Sequence, residues 1–232
     1  MMERVGARLM AKYRGWKLRK LARRGIIPKK TIEHYLPAAP VIVEAGAHVG
    51  LDTLEMSALW PQAHIHAFEP VPSIYSQLVA NTRNRANITC HSLALGATTG
   101  HASMFVSSGA SDGSSSLLRP ASHLADHPDV KFDSVIEVET TTLDAWARRL
   151  GIVKVDFLWL DLQGCELAAL TAGSEVLREV SAIHTEVNLK TTYENVPYYS
   201  ELRFWLEQRN FRVMKEAIPW ADGGNVLFVR NR

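Results

Sequence analysis

The sequence predicts an α/β fold in which a mostly parallel sheet is covered by helices on both faces. From Pro40 onward, short apolar runs alternate with longer helix-like stretches, a pattern typical of parallel sheets. The chain has 232 residues, 47% hydrophobic and 22% charged, which is enough for a full core without disulfide bonds. Two closing apolar runs flank a turn sequence, and this predicts a terminal antiparallel hairpin.

The chain begins with a basic segment. Residues 1–30 carry a net charge of +10, the only acid being Glu3, and the remainder carries −8, which together give +2. The segment Glu3–Arg24 lacks proline and predicts a helix. Its apolar stripe consists of Val5, Leu9, Tyr13 and Trp16. We therefore predict a basic helical arm over residues 1–36. Docking on the folded body, an anionic membrane surface, a biosynthetic partner protein and nucleic acid all remain open as its contacts.

Several protein classes are disfavoured by composition. Basic residues interrupt every stretch of the first thirty residues that would serve as the core of a secretory signal. No apolar run reaches the roughly 18 residues of a membrane-spanning helix. The two cysteines, Cys90 and Cys165, are too few for a disulfide framework and lack zinc-site spacing. These features predict a cytoplasmic protein, with peripheral membrane attachment through the arm left open.

A folded domain is predicted over residues 37–232. Its predicted strands are Val41–Glu44, Ile65–Phe68, Ile88–Ser92, Phe157–Leu160 and Ile183–Val187, followed by the hairpin runs Phe211–Lys215 and Val226–Val229. Its predicted helices are Thr53–Leu59, Ile74–Arg85, Leu143–Leu150, Glu166–Leu177 and Tyr198–Gln208. Each helix follows a strand or leads into the next one.

An insertion at about 97–140 interrupts this alternation. The Ser/Gly-rich stretch Ser107–Ser116 lies between two β-prone runs, Ala102–Val106 and Ser134–Thr141. A polar loop this long at the edge or mouth of a sheet is either a substrate lid or a surface excursion without a role. The sequence leaves both interpretations open.

The most informative motif follows the first strand. Here Glu44 precedes two glycines in the spacing Glu44-x-Gly46-x-x-x-Gly50. Glycines at the end of a buried strand permit a tight turn that a ligand can approach closely. An acid before the first glycine would repel a pyrophosphate, so a cationic or hydroxyl-bearing ligand suits the turn better.

A second acid, Glu69, ends the second predicted strand. A carboxylate at this place in an α/β sheet can accept hydrogen bonds from both hydroxyls of a ribose. The two motifs together predict a ligand that contains ribose without pyrophosphate.

These motifs resemble the S-adenosylmethionine-binding motifs of class I methyltransferases. Further motifs make the chain similar to the FkbM-type methyltransferase family over about residues 40–230. They are Phe68-Glu69-Pro70-Val71-Pro72, Ala94-Leu95-Gly96, Ser114-Ser115-Ser116-Leu117, Thr142-Leu143-Asp144, Asp161-Leu162-Gln163-Gly164-Cys165-Glu166 and Glu186 at the end of the fifth strand. The resemblance implies a Rossmann-like fold with a seven-stranded, mostly parallel sheet and a terminal antiparallel hairpin. It also implies S-adenosylmethionine as donor and O-methylation of a saccharide or natural product.

The chain departs from the family pattern at three positions. Glu44 stands where many members carry Asp, and His48 stands where many carry Asn. Trp159, two residues before Asp161, stands where many carry Lys. The first change is conservative, whereas the other two bear on the rim of the donor site or on the acceptor.

The resemblance implies roles for individual residues. Glu44 and the turn after it would face the amino-acid part of the donor, Glu69 its ribose, and 92–95 its adenine. The predicted donor-binding residues are Glu44, Gly46, Ala47, His48, Val49, Gly50, Glu69, Pro70, Ser92, Leu93, Ala94 and Asp161.

The catalytic candidates lie on the fourth and fifth predicted strands and the helix after the fourth. Asp161 is the first candidate for a base or acceptor-orienting group. Glu166, Glu186 and His184 are further candidates. Stabilisation of a helix N-terminus is an equal alternative for Glu166, and a core histidine is the alternative for His184. By strand alternation, His184 and Glu186 should share one face of the sheet.

The sequence also bears on a metal site and on three other functions. Asp161, Glu166 and Glu186 would suit a divalent cation, but no metal site is predicted, and metal dependence is not favoured. A nucleic-acid methyltransferase using the basic arm is one alternative, and a catalytically silent donor-binding scaffold is another. The glycine spacing and Glu44 disfavour a nicotinamide oxidoreductase.

Overall fold

The computed structural model describes residues 20–231, which contain ten strands and six α-helices. The strands are β1 (Val41–Ala45), β2 (His64–Phe68), β3 (Ile88–His91), β4 (Ala94–Leu95), β5 (Gly100–Gly109), β6 (Val130–Thr141), β7 (Phe157–Leu160), β8 (Ala182–Asn188), β9 (Phe211–Ala217) and β10 (Gly223–Arg230). The helices are α1 (Leu51–Leu59), α2 (Pro72–Thr82), α3 (His123–Asp126), α4 (Leu143–Leu150), α5 (Glu166–Thr171) and α6 (Tyr199–Glu207).

Seven strands form the central sheet in the order β3-β2-β1-β7-β8-β10-β9. The first five are parallel, and β10 is antiparallel to both β8 and β9. This confirms the predicted mostly parallel sheet and its terminal hairpin. Ala45 is in register with Phe68 on one side and Leu160 on the other, so the carboxyl ends of β1, β2 and β7 meet at one edge.

Apolar clusters cover both faces of this sheet. Its central strands are apolar on both sides because both faces are buried. One cluster includes Trp146 of α4, which is fully buried. The opposite cluster contains Ile27 and Ile32, which are 2% and 0% exposed. Part of the segment 1–36 therefore packs into the core of the domain. We accordingly propose a domain boundary before Ile27 rather than after residue 36.

The insertion contributes β5 and β6 to a second, three-stranded sheet in the order β4-β6-β5. Its long strands β5 and β6 are antiparallel. Hydrogen bonds between serines stabilise the stretch Ser107–Ser116, here named the serine-rich loop. The Ser115 hydroxyl accepts from the Ser107 amide at 3.0 Å, and the Ser107 hydroxyl accepts from the Ser114 amide at 2.9 Å. The Ser116 hydroxyl donates to the carbonyl of Gln163 at 2.7 Å. This loop is therefore tied to the edge where β7 ends.

Some predicted boundaries were wrong. The helix expected over Glu166–Leu177 ends at Thr171 and is followed by a short 3₁₀ helix, Val176–Arg178. Gly173 separates them, and a Cβ there would lie 2.8 Å from the side chain of Leu143, so this backbone packs directly against α4. The predicted third strand ends at His91, one residue early.

The predicted arm helix falls mostly outside the described residues, including its whole apolar stripe. Residues 20–22 are helical. Within the described part of the chain, no helix is long and apolar enough to span a membrane.

Candidate active site

A glycine turn brings three strand ends together. Gly46 directly follows β1 and has φ +81°, a conformation that favours glycine. A Cβ at Gly46 would lie 1.9 Å from the carbonyl oxygen of Asp161. The Gly46 amide donates to the carbonyl of Phe68 at 3.1 Å. The absence of a side chain at Gly46 therefore lets the residues after β1, β2 and β7 converge.

The carboxylate of Glu69 is fixed at this edge by two backbone amides. Oε1 accepts from Val71 at 2.8 Å, and Oε2 accepts from His48 at 3.1 Å. Burial raises the pKa of Glu69, and the two hydrogen bonds oppose that rise. A carboxylate has about four lone-pair sites, so Glu69 keeps acceptor capacity for a ligand.

A cavity of about 230 Å³, here named the glycine-turn cavity, lies beside Glu69. It is lined by Gly46, Ala47, His48, Leu51, Asp52, Glu69, Pro70, Val71, Met104, Asp112, Gly113, Ser115 and Asp161. An adjoining narrow slot is lined mainly by apolar side chains, among them Phe68, Leu93, Ala94 and Leu162. The His48 ring lies 2.9 Å from a carboxylate oxygen of Asp112, so the serine-rich loop closes one side of this cavity.

Two carboxylates are bridged by an amide just beyond the glycine turn. Nε2 of Gln163 donates to Oδ1 of Asp161 and to Oε2 of Glu186, both at 2.6 Å. Oε1 of Gln163 lies 2.9 Å from the hydroxyl of Tyr193. The same hydroxyl lies 2.8 Å from the carbonyl oxygen of Ser114, and its single proton can be donated to only one of these two oxygens.

The two carboxyl groups favour a shared proton. Burial, followed by the negative charge of Asp161, raises the pKa of Glu186 well above its ordinary value. Burial also raises the pKa of Asp161, whereas hydrogen bonds from Gln163 and Glu186 oppose that rise. Glu186 is therefore the member that holds a proton more strongly.

A second cavity of about 420 Å³, here named the Glu186 cavity, opens beside this pair. Its lining includes polar groups from α3 and its C-terminal end, from β8, from the serine-rich loop, and from the loops after β7, after β8 and before β10. These are Ser111, Ser114, His123, His127, Gln163, Glu186, Asn188, Thr192, Tyr193, Trp220 and Asp222. The His127 ring lies 2.8 Å from a carboxylate oxygen of Asp222. Asp161 does not line this cavity but lines the glycine-turn cavity.

Comparison with known proteins identifies the domain. Residues 44–213 match the family described as the Methyltransferase FkbM domain. The chain belongs to this family. The predicted family is thereby confirmed, and S-adenosylmethionine is the methyl donor of this methyltransferase domain.

Two curated relatives are methyltransferases. The 2-O-methyltransferase NoeI of Sinorhizobium fredii (strain NBRC 101917 / NGR234) is 31% identical over 160 residues, which are 67% of this chain and 66% of that protein. This chain thus matches just under two thirds of the length of NoeI. The methyltransferase sdnD of Sordaria araneosa is 27% identical over 211 residues, covering 80% and 79% of the two chains.

Solved structures confirm the fold class. Fibrillarin of Aeropyrum pernix, crystallised with natively bound S-adenosyl-L-methionine, matches with a TM-score of 0.54 at 15% identity. The match covers 92% of this chain and 74% of fibrillarin. At this level of identity the likeness concerns the fold alone.

The described residues of the FkbM domain fit the donor. Glu69 has acceptor capacity for the ribose hydroxyls, and the narrow slot beside it has the apolar walls that an adenine ring needs. Leu93 and Ala94, two of the predicted donor-binding residues, line that slot. Gly46, Ala47, His48, Glu69, Pro70 and Asp161 line the glycine-turn cavity. We therefore propose these eight residues as the donor contacts.

Four predicted donor residues lie elsewhere. Ser92 is exposed and lines neither the cavity nor the slot. Gly50 begins α1, and a Cβ there would lie 2.7 Å from Leu78 of α2, so it permits helix packing. Val49 accepts a hydrogen bond from Asn81 through its carbonyl. None of these three residues lines the glycine-turn cavity or the slot, so their contact with the donor stays a prediction.

Glu44, the fourth of these residues, lies beneath the turn rather than in the glycine-turn cavity. It is 1% exposed, and its Oε2 has no hydrogen-bond partner among the described residues. Burial raises the pKa of Glu44 to about 8. Glu44 lines neither the glycine-turn cavity nor the Glu186 cavity, so a direct contact with the donor is not seen.

Replacing Glu44 by Gln tests this buried acid. In the wild type the folded chain keeps the Glu44 proton up to about pH 8, whereas the unfolded chain loses it near pH 4.5. The folded state thus binds one proton more than the unfolded state between pH 4.5 and about pH 8. As the pH rises through this range, the free energy of unfolding of the wild type falls by up to about 1.4 kcal/mol per pH unit. The melting temperature of the E44Q variant should therefore rise relative to wild type from pH 5 to 8, measured by calorimetry.

The matched control is Glu139→Gln, at an exposed glutamate on strand β6. A difference between E44Q and wild type that stays constant from pH 5 to 8 would show that Glu44 is not a protonated buried acid.

The contacts of two catalytic candidates, Glu166 and His184, indicate structural roles. Glu166 is 2% exposed, and its carboxylate accepts from the amides of Leu162 at 2.8 Å and Gly164 at 3.1 Å. It therefore positions the loop that carries Asp161 and Gln163. Burial raises its pKa to about 7, against these hydrogen bonds. Glu166 lines neither the glycine-turn cavity nor the Glu186 cavity.

His184 stacks on Trp159 with ring centroids 3.6 Å apart and an interplanar angle of 6°. Burial and then the charge of Lys29 lower its pKa to about 3. A ring that resists protonation this strongly is a poor proton acceptor, so the contacts favour the core-histidine alternative. Within the described residues, no cluster of three or more His, Cys, Asp or Glu is arranged to hold a metal ion.

The sequence analysis missed Gln163 and Tyr193 as site residues. Gln163 has φ +50°, and this backbone conformation directs its amide between two carboxylates that are 25 positions apart in sequence. The motif Asp161-Leu162-Gln163-Gly164 was noticed only for its family likeness. Tyr193 belongs to none of the sequence motifs, and its hydroxyl lies 2.9 Å from Oε1 of Gln163.

Proposed function

We propose that the protein is an O-methyltransferase whose acceptor is a hydroxyl of a saccharide or other hydroxyl-bearing natural product. The observation that carries this proposal is the carboxylate pair bridged by Gln163. One of its members, Asp161, lines the glycine-turn cavity, and the other, Glu186, lines the Glu186 cavity. A group that can take a proton therefore stands between the donor site and a separate cavity.

An alcohol must lose its proton during methylation. When bound, S-adenosylmethionine supplies a methyl group on a cationic sulfur. Glu186 lines the cavity that we assign to the acceptor. We therefore propose that Glu186 accepts the proton of the acceptor hydroxyl, rather than Asp161, the first candidate from sequence. Burial holds the pKa of Glu186 high, which makes the carboxylate a stronger base than an exposed one. Asp161 remains on the donor side, where its negative charge favours a cation.

The Glu186 cavity suits a polar acceptor. Its walls carry hydroxyl, amide and carboxylate groups, such as those of Thr192, Asn188 and Asp222, together with the ring of Trp220. Hydroxyl-rich rings are bound by this combination of hydrogen-bonding groups and an aromatic face. The relative NoeI is named a 2-O-methyltransferase, and this name supports hydroxyl oxygen as the accepting atom.

The test is transfer of a labelled methyl group from S-adenosylmethionine to chemically defined acceptors. The acceptors are methyl glycosides of common sugars, the corresponding 2-deoxy glycosides, and total RNA with and without salt. We expect methyl glycosides to be labelled. Loss of labelling in the 2-deoxy glycosides would identify the 2-hydroxyl oxygen as the methylated atom.

Other outcomes would overturn the proposal. Labelling of RNA alone, reduced by salt, would support a nucleic-acid methyltransferase. Donor binding without transfer to any acceptor or cell extract would support a silent scaffold.

A further inference from the structure

A third cavity of about 330 Å³, here named the Lys29 cavity, lies between the N-terminal segment and the end of β7. Its lining includes Arg24, Lys29, Glu55 and Trp159, and it shares Asp52 and Asp161 with the glycine-turn cavity. The apolar slot shares only Asp161 with the Lys29 cavity. Apart from Asp161, the glycine-turn cavity adjoins the slot at Gly46, Pro70 and Met104, and it adjoins the Lys29 cavity at Asp52.

Lys29 places a buried ammonium in this cavity. The residue is 5% exposed, although its two acidic partners are half-exposed. Nζ is paired with Asp52 and lies 2.7 Å from Oε2 of Glu55. It also lies 4.3 Å from the centre of the Trp159 ring, and aromatic faces attract cations at this distance.

The charges around the donor site are otherwise mostly negative. Asp52, Glu69, Asp112 and Asp161 all line the glycine-turn cavity. These acids suit the sulfonium and the ammonium of S-adenosylmethionine but repel its carboxylate. A cation near the tail would bind this carboxylate, and Lys29 supplies one beside Asp52, its ion-pair partner, which lines both cavities.

The order of groups in the donor matches the order of the cavities. Adenine fits the apolar slot, and ribose fits Glu69. The amino-acid tail then extends past Gly46 toward Asp52 and Asp161, the two residues shared with the Lys29 cavity. The carboxylate at the end of this tail reaches the side where Lys29 lies.

We propose that Lys29 binds the α-carboxylate of S-adenosylmethionine, sharing its ammonium between that group and Asp52. The proposal deepens the proposed function, since it rests on S-adenosylmethionine being the donor. Lys29 lies outside residues 44–213, the part of the chain that matches the family. The donor site is thus completed by a segment that precedes the family domain.

The test is calorimetric binding of three probes that differ in the tail. They are S-adenosylmethionine, its decarboxylated analogue, and 5′-methylthioadenosine, which lacks the amino-acid tail altogether. A charge-assisted hydrogen bond predicts that wild type binds S-adenosylmethionine about 10- to 100-fold more tightly than the decarboxylated analogue. Lys29→Met should abolish this preference, and Lys29→Arg should keep most of it. Binding of 5′-methylthioadenosine should be the same in all three proteins.

Two results would overturn the proposal. One is equal affinity of wild type for S-adenosylmethionine and its decarboxylated analogue, a measurement that needs no variant. The other is a Lys29→Met variant that weakens all three probes equally, because that would indicate a structural role. Failure of the proposed function is distinguishable. Wild type would then bind neither S-adenosylmethionine nor 5′-methylthioadenosine, or would bind the donor without methylating any hydroxyl.

Discussion

Replacing Glu186 by Gln is expected to lower kcat about 10²- to 10⁴-fold, the usual contribution of a positioned general base. The amide has nearly the same shape as the carboxylate and can still accept the hydrogen bond from Gln163, but it cannot take a proton. Glu186 does not line the glycine-turn cavity, so the Kd for S-adenosylmethionine should be unchanged. Steady-state kinetics with the best acceptor and donor calorimetry measure the two quantities.

The pH profile adds a second readout. Because burial and Asp161 raise the pKa of Glu186, wild-type kcat should increase with pH as this carboxyl ionises. The cationic donor will lower this pKa when it binds, so the kcat profile should lie at lower pH than the kcat/KM profile of the free enzyme.

Two results would test the assignment of Glu186 as the general base. The E186Q variant should lose the acid limb of the profile, whereas Glu194→Gln, at an exposed glutamate, should keep it. An E186Q variant with wild-type kcat would exclude Glu186 as the base.

Replacing Gly46 by Ala is expected to destabilise the fold and abolish donor binding together. The new Cβ would lie 1.9 Å from the Asp161 carbonyl, and φ is +81°, so both a clash and backbone strain arise. We expect a loss of about 2–4 kcal/mol in the free energy of unfolding. For a domain of this size the melting temperature should fall by roughly 5–15 °C. Thermal unfolding with and without S-adenosylmethionine measures both effects.

Gly151→Ala separates the clash from the strain. Gly151 also has a positive φ, +66°, but a Cβ there would meet nothing within 4 Å. The G151A variant should lose only about 1–2 kcal/mol in the free energy of unfolding. S-adenosylmethionine should still raise its melting temperature. If the two variants behaved alike, convergence of β1 and β7 would not explain why glycine is needed at Gly46.

The sequence by itself determined the parallel sheet and the terminal hairpin, and it marked Glu69 as an acid directly after the second strand. Continuous apolar runs report a sheet buried on both faces, because every side chain of such a strand must avoid water. The pair formed by Gly46 and Glu69 was predictable for a related reason. Each directly follows a strand, and the ends of adjacent parallel strands must meet at one edge.

Only the tertiary structure decided which acids line the glycine-turn cavity. Glu44 and Glu69 both belong to strongly marked motifs, yet Glu44 is buried beneath the turn while Glu69 lines the cavity. The difference follows from side-chain alternation near the end of a strand, where one residue more or less changes the face. The sequence pattern does not resolve a strand end that finely.

Contacts between distant segments were likewise decided by packing alone. Gln163 joins β7 to β8, and Tyr193 reaches the serine-rich loop at Ser114. Lys29 places its ammonium over the ring of Trp159, the position where many family members carry Lys. The identities of these side chains indicate what each can bind, but their partners lie tens of residues away. Which of them meet depends on how helices and strands pack, because no local pattern encodes a contact across the sheet.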